Sequence, residues 1–288
     1  MAPRRTRRVV VLTPGLSGTD GISEVSRQYV RLLADAMTAS GGHLEIWSLT
    51  DRGRPSGMPP DVRVRAARGN RLRFAWWAVT NVTADRDTLV VGLHVHLLPV
   101  ALPLLWRGAR LAAVLYGIEI WKPLRRLERH ALRGAWRCIA ISRYTRDRFR
   151  QAHPALQALP VEVCAPGVPA AAAASGPSST TASTTASTTA STTMSTTAPG
   201  PFAVIVGRMV AAERYKGHDA LLDLWPRVRE AVPQARLVVV GDGDDRARLA
   251  ARVEAEGLAG VVDIRGRVED ATLAALYRDA TCLVMPSA

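Results

Sequence analysis

Short continuous apolar runs alternate along this chain with longer segments whose apolar residues recur every three or four positions. Residues 9–13 form such a run, as expected of a strand buried on both faces. Helical spacing follows over residues 23–37, with Val25, Tyr29, Leu32, Leu33 and Ala36 on one stripe. The pattern predicts further strands at 43–49, 89–92, 111–115, 138–141 and 161–164. It predicts helices over 124–132 and from Ser142 onward, where Ser142 has the chemistry of an N-cap. After residue 200 the alternation resumes, with strands at 202–206, 236–240, 261–264 and 282–285 and helices at 218–232, 244–256 and 271–277. Strand–helix alternation of this kind predicts an α/β fold, with parallel sheets that carry helices on both faces.

Two stretches invite other readings. Residues 89–106 are mostly apolar and meet the lower length limit for a membrane span, but they hold His94, His96, Pro99 and Pro103. A buried strand followed by a buried helix is the better expectation. The N-terminus is basic, yet its apolar run ends at Thr13-Pro14-Gly15 without the hydrophobic region or cleavage site of a signal peptide.

Residues 179–198 repeat the unit Ser-Thr-Thr-Ala, with Met194 in place of one alanine. Such a tract has no apolar face to offset its ordering entropy and reads as a flexible linker. The expected organisation is therefore an N-terminal domain over 1–168, a linker over 169–200 and a C-terminal domain over 201–288.

Composition adds an asymmetry. Residues 1–169 hold 26 Lys and Arg against 12 Asp and Glu, a net of +14; residues 170–288 hold 12 against 13, a net of −1. A basic half beside a neutral half points to an anionic partner such as a membrane surface or a phosphorylated acceptor, or to an Arg-rich solvated surface. Nucleic acid is disfavoured, because the basic residues are not seen to interleave with exposed aromatics and no RNA-binding signature is present. Three dispersed cysteines and six histidines lack the spacing of a disulfide framework or a metal site, which suits a reducing cytoplasm.

The sharpest chemistry lies between the strand ending at Val206 and the helix starting near His218. Gly207 and Gly217 let the backbone approach a ligand, and Arg208 and Lys216 place two cations where open α/β sheets bind ligands. Lys216 is one of two lysines in the chain, the other being Lys122. The run VGRMVAAERYKGHDALLDLWPRV resembles the donor-binding loop of family 4 glycosyltransferases, whose pattern is G-R-x(n)-K-G-x-x-x-L-(I/L). The resemblance implies that Arg208 and Lys216 hold the diphosphate of a nucleotide-sugar donor, with Gly207 and Gly21 beside it. Leu237 to Gly243 is similar to the family's strand and turn near the nucleotide base, which assigns Gly241 and Gly243 there. The segment from Ile264 through Arg267 and Val268 to Ser287 resembles the family's next block, where the backbone after a glycine contacts the base.

The N-terminal half resembles the family's acceptor domain more loosely. Gly21-Ile22 matches a glycine loop that closes over the donor phosphate, with Asp20 in place of a glycine. Residues 114–121 resemble H-G-x-E-x-W, which implies catalytic positions at Tyr116 and Glu119, with Tyr116 standing where the family has His. His94 and His96 follow a strand and could line the acceptor cleft; Ser142 falls in a segment that resembles the mouth of that cleft.

What the resemblance implies as a whole is a GT-B fold of two Rossmann-like domains, the second incomplete. It implies sugar transfer with retention from a UDP- or GDP-linked donor to a saccharide or lipid-linked acceptor, for glycan or cell-envelope biosynthesis. It also implies no cofactor and no metal, and a cytoplasmic protein with peripheral contact at the inner membrane face. In the family a segment like Val284–Ser287 is soon followed by E-G-F-G and an E-x7-E pair; this chain stops at Ala288, so a truncated enzyme is expected. The alternative is an inactive relative that binds nucleotide or an anionic membrane only.

Overall fold

The computed structural model describes residues 6–18, 20–81, 83–167 and 200–287. The chain divides into two compact units, Met1–Thr181 and Ala182–Ala288. The basic tail at 1–5 and the linker, all but Gly200, lie outside the described residues.

In the first unit seven strands form one sheet: β1 (Arg8–Thr13), β2 (His43–Ser48), β3 (Arg63–Ala66), β4 (Thr88–Gly92), β5 (Arg110–Leu115), β6 (Arg137–Ala140) and β7 (Val161–Val163). Their order is β3-β2-β1-β4-β5-β6-β7, and every pairing is parallel. Alternate residues of β1 explain why the sheet is apolar on both sides. Val10 and Leu12 enter one core with Trp47, Phe74 and Leu98, while Val9 and Val11 enter another with Val30, Ala34 and Met37. Helix α1 (Gly21–Ser40) covers the second core. The first is covered by α2 (Arg71–Thr80), α3 (Leu102–Trp106), the short α4 (Ile118–Trp121), α5 (Arg126–Arg133) and α6 (Arg143–Ala152).

Strand order reverses between β1 and β4. The carboxyl ends of the strands at such a reversal are where open α/β sheets take ligands. Residues 89–106 prove to be β4, a 3-10 turn over Val95–Ala101 and α3. No helix of the described residues is long and apolar enough to cross a membrane.

The pattern did not predict β3 or α2. β3 is a four-residue edge strand carrying two arginines. α2 was legible in principle: Asn70 accepts a hydrogen bond from the Arg73 amide at 2.9 Å, and Phe74, Trp77 and Ala78 are its buried residues. Contrary to the expectation from sequence, exposed aromatics do lie among the arginines. Trp76 is 63% exposed and Trp106 78%, and Trp136 lies under the guanidinium groups of Arg110 and Arg137. Exposure of a lone aromatic leaves no periodic trace in sequence.

The second unit contains β8 (Phe202–Val206), β9 (Arg236–Val240), β10 (Val262–Gly266) and β11 (Cys282–Leu283), all parallel, in the order β10-β9-β8-β11. On one face α7 (His218–Ala231) and α8 (Arg246–Ala255) bury Leu221, Trp225, Leu249 and Val253. On the other, α9 (Asp270–Asp279) buries Leu276 against Val204, Val238 and Val240. Here the order reverses between β8 and β11.

Candidate functional site

The loops after β8 and β9 are fastened to each other by their backbones. Gly207 N donates to Val240 O at 2.9 Å and Met209 N to Asp242 O at 3.0 Å, while Met209 O accepts from Asp245 N at 3.0 Å. This contact explains both glycines of the Gly241-Asp242-Gly243 turn. A Cβ on Gly241 would lie 1.9 Å from Gly207 O, and one on Gly243 would lie 1.9 Å from Met209 O. The loop then makes a 3-10 turn over Ala211–Lys216, pinned where the Ala211 amide donates to Asp244 at 2.9 Å. It enters α7 through Gly217, whose φ of 84° suits glycine. Any larger residue there would also meet Pro286 after β11, at 2.6 Å.

This geometry gathers the predicted cations at the switch point of the second sheet. The Arg208 guanidinium pairs with one oxygen of Glu213, and Lys216 Nζ lies 2.8 Å from the other. Gly207 packs beside Lys216 and His218: a Cβ there would sit 3.7 Å from Lys216 Cδ and 3.8 Å from the His218 ring, at ordinary contact distances. His218 is only 7% exposed, and among the described residues its Nε2 has no hydrogen-bond partner. Burial first, and then the Lys216 charge, hold its pKa below the ordinary value, so the imidazole is neutral at pH 7.

The N-terminus of α7 carries no side-chain cap. Its first-turn acid, Asp219, is turned away into a bidentate pair with Arg248 at 2.9 and 2.8 Å and a bond from Arg252 at 3.0 Å. Unsatisfied helix N–H groups, two cations and an unpartnered imidazole suit an anion with several oxygens. Of the predicted base-side residues, Arg267 is exposed just after β10, and Val268 packs on the core below α9.

In the first unit Asp20 caps α1. Its carboxylate accepts from the amides of Ile22 at 3.0 Å and Ser23 at 3.1 Å, and from the Ser23 hydroxyl at 2.8 Å. Although burial raises its pKa, these bonds hold the carboxyl below its usual range. Gly21 begins the helix with open space around it. The loop before it is tied down by Asp51, which accepts from the Leu16 amide at 2.8 Å and the Ser17 amide at 3.0 Å.

Tyr116 is 7% exposed and its hydroxyl lies 3.4 Å from Ser26 on α1; burial pushes the phenol up to about 12. Glu119 accepts from the backbone amides of Tyr116 at 2.9 Å and Gly117 at 3.0 Å, so its carboxylate shapes the turn after β5. His94 accepts from the His96 amide at 3.3 Å, and the exposed His96 meets the buried Glu128 at 2.8 Å. Ser142 does cap α6, accepting from the Thr145 amide at 3.0 Å.

Sequence reasoning missed Glu213 and His218. The i,i+3 spacing of Glu213 to Lys216 was a signal for the first; nothing but burial marks the second.

A family model described as Glycosyltransferase Family 4 matches residues 26–172, just over half of the chain. One described as Glycosyl transferases group 1 matches residues 200–288. Among solved structures the chain is similar to the apo form of lipopolysaccharide outer core galactosyltransferase WaaB, with 13% identity and a TM-score of 0.62 over 98% of this chain and 74% of that one. It is similar to Anabaena Alr3699/HepE in complex with UDP, with 15% identity and a TM-score of 0.66 over 97% and 74%. A UDP-forming α,α-trehalose-phosphate synthase from Burkholderia vietnamiensis matches with 12% identity and a TM-score of 0.59 over 98% and 77%. Identities at this level carry the fold alone, and no curated protein matches the chain.

Proposed function

The chain belongs to glycosyltransferase family 4, and from that membership we propose that it moves a sugar, with retention, from a UDP- or GDP-linked donor to a saccharide or lipid-linked acceptor. The observation that carries this reading is the gathering of Arg208, Lys216 and the uncapped start of α7 at one loop of the second sheet. In the reaction these groups would take up the charge that develops on the leaving diphosphate, the main electrostatic task of such a transfer. Gly241, Gly243, Arg267 and Val268 would flank the base. The similar Anabaena protein has been solved with UDP and glucose, which favours UDP among the nucleotides.

Heat stability with a nucleotide panel tests the donor site. UDP or GDP at a hundred times its Kd should stabilise the protein by about 2.7 kcal/mol, a rise of roughly 5 °C in Tm. An Arg208→Ala, Lys216→Ala double variant should lose that rise; an equal rise in the variant would remove the assignment.

A reading without turnover draws on Tyr116, which puts a buried phenol where the resemblance has an imidazole. It expects the same nucleotide shift but no release of UDP or GDP from a donor sugar when acceptor is supplied.

For the acceptor side we propose contact with an anionic membrane surface. Leu72, Trp76 and Val79 share one face of α2 and are 84%, 63% and 51% exposed. Arg107, next to the exposed Trp106, donates to the carbonyls of Ala78 at 3.3 Å and Val79 at 2.8 Å. Residues 62–84 contain five arginines and no acid. Apolar anchors among cations suit a lipid interface, and binding to anionic but not zwitterionic vesicles tests it.

A further inference from the structure

Glu213 supplies an anion to the donor loop before any ligand arrives. Its two oxygens are divided between the two cations: one is hydrogen-bonded to the Arg208 guanidinium, and the other makes a close ionic contact with Lys216 Nζ at 2.8 Å without the alignment of a hydrogen bond. The remaining carboxylates of these loops are engaged elsewhere. Asp219 pairs with Arg248 and Arg252, Asp245 with Arg248, and Asp242 faces Arg246 at 3.9 Å. Asp244 accepts the Ala211 amide. Among the described residues Glu213 is the acid that Arg208 and Lys216 share.

The backbone reflects this placement. Glu213 leaves helical geometry inside the 3-10 turn, at φ −117° and ψ 28°. Its side chain is 19% exposed and that of Lys216 20%, so this half of the contact is partly sheltered from solvent. Arg208 is 57% exposed, and an ion pair as open as that contributes little by itself. Holding two like charges side by side therefore depends on one carboxylate that meets both.

We propose that Glu213 is the resident occupant of the diphosphate seat, a carboxylate that positions Arg208 and Lys216 in the empty protein and is displaced by the donor. The inference rests on the donor-site reading above and adds a competitor to it. A phosphate carries more charge and more acceptor oxygens than a carboxylate, so it wins the exchange. Displacing Glu213 nevertheless lowers the net affinity for every nucleotide. Product release is eased by the same exchange, because Glu213 returns to the cations as the nucleoside diphosphate leaves.

The opposing signs of two measurements test this. Calorimetric titration of the full chain with UDP, GDP and inorganic pyrophosphate is compared for wild type, Glu213→Gln and Glu213→Ala, beside the Tm of each without ligand. The expected result is a lower ligand-free Tm and a tighter Kd, by about tenfold, in both variants. A residue that only maintains loop structure would lower stability and affinity together. In a Lys216→Ala background the gain should shrink, since one of the two contested cations is gone; an undiminished gain would overturn the proposal. So would unchanged or weaker binding by both Glu213 variants, while wild-type binding would leave the donor site standing. Failure of wild type and variants alike to bind any of the three probes would overturn both.

Discussion

His218 couples the donor loop to pH. The folded protein keeps this imidazole neutral through burial and the neighbouring Lys216, below the ordinary value of 6.5. The unfolded chain titrates normally, so His218 costs no stability above about pH 6.5 and an increasing amount as pH falls toward its folded pKa. His218→Gln should flatten the acid-side loss, read as the difference in urea midpoint between about pH 7.5 and pH 5.5. An unaltered difference would rule the residue out as a source. Arg208 and Lys216 were legible in sequence because a loop between a buried strand and a helix fixes where they must sit. The Tyr116 position was legible too, but not its surroundings. Only the packing of α1 tells that the phenol meets Ser26 at 3.4 Å instead of facing open space.

At the scale of elements, the loops after β8 and β9 behave as one piece because their backbones touch. Gly241→Ala would drive a methyl group to 1.9 Å from Gly207 O. The expected cost is at least about 2 kcal/mol in urea unfolding, with weaker nucleotide binding as the Gly207–Arg208 segment is pushed aside. A variant of normal stability and affinity would show that the two loops are not held together. Most strands were readable as apolar runs because both sheet faces are covered. β3 escaped because an edge strand needs no such run. α2 escaped because Phe74, Trp77 and Ala78 bury only a third of a helix whose other face keeps Leu72, Trp76 and Val79 in solvent. The Asp20 cap of α1 was visible in sequence only as a substitution in a glycine loop, not as a carboxylate seated on helix amides.

Across the whole molecule, the net positive charge and, among the described residues, the exposed tryptophans Trp76, Trp106 and Trp136 fall together in the first unit. Basic groups near an anionic bilayer contribute about 1 kcal/mol each, a term that fades as salt shortens the screening length. Trp76→Ser and Leu72→Ser should reduce co-sedimentation with phosphatidylglycerol vesicles several-fold at low salt, and high salt should weaken the wild type. Undiminished binding by both variants would remove α2 as the contact. Binding to single-stranded RNA instead, without lipid dependence, would reassign the surface to nucleic acid. The domain-level charge difference was plain in sequence; which face carries it was not, since that depends on the burial of each helix.

The three cysteines differ in a way that a spectroscopist can use. Cys138 is buried in the first core, where burial pushes its thiol up to about 12, whereas Cys164 after β7 and Cys282 on β11 are exposed. Each unit thus presents one exposed thiol. A dye or spin-label pair attached to the native sequence would sit on the two units without any engineered substitution, and would act as a ruler for their separation while donor and acceptor come and go.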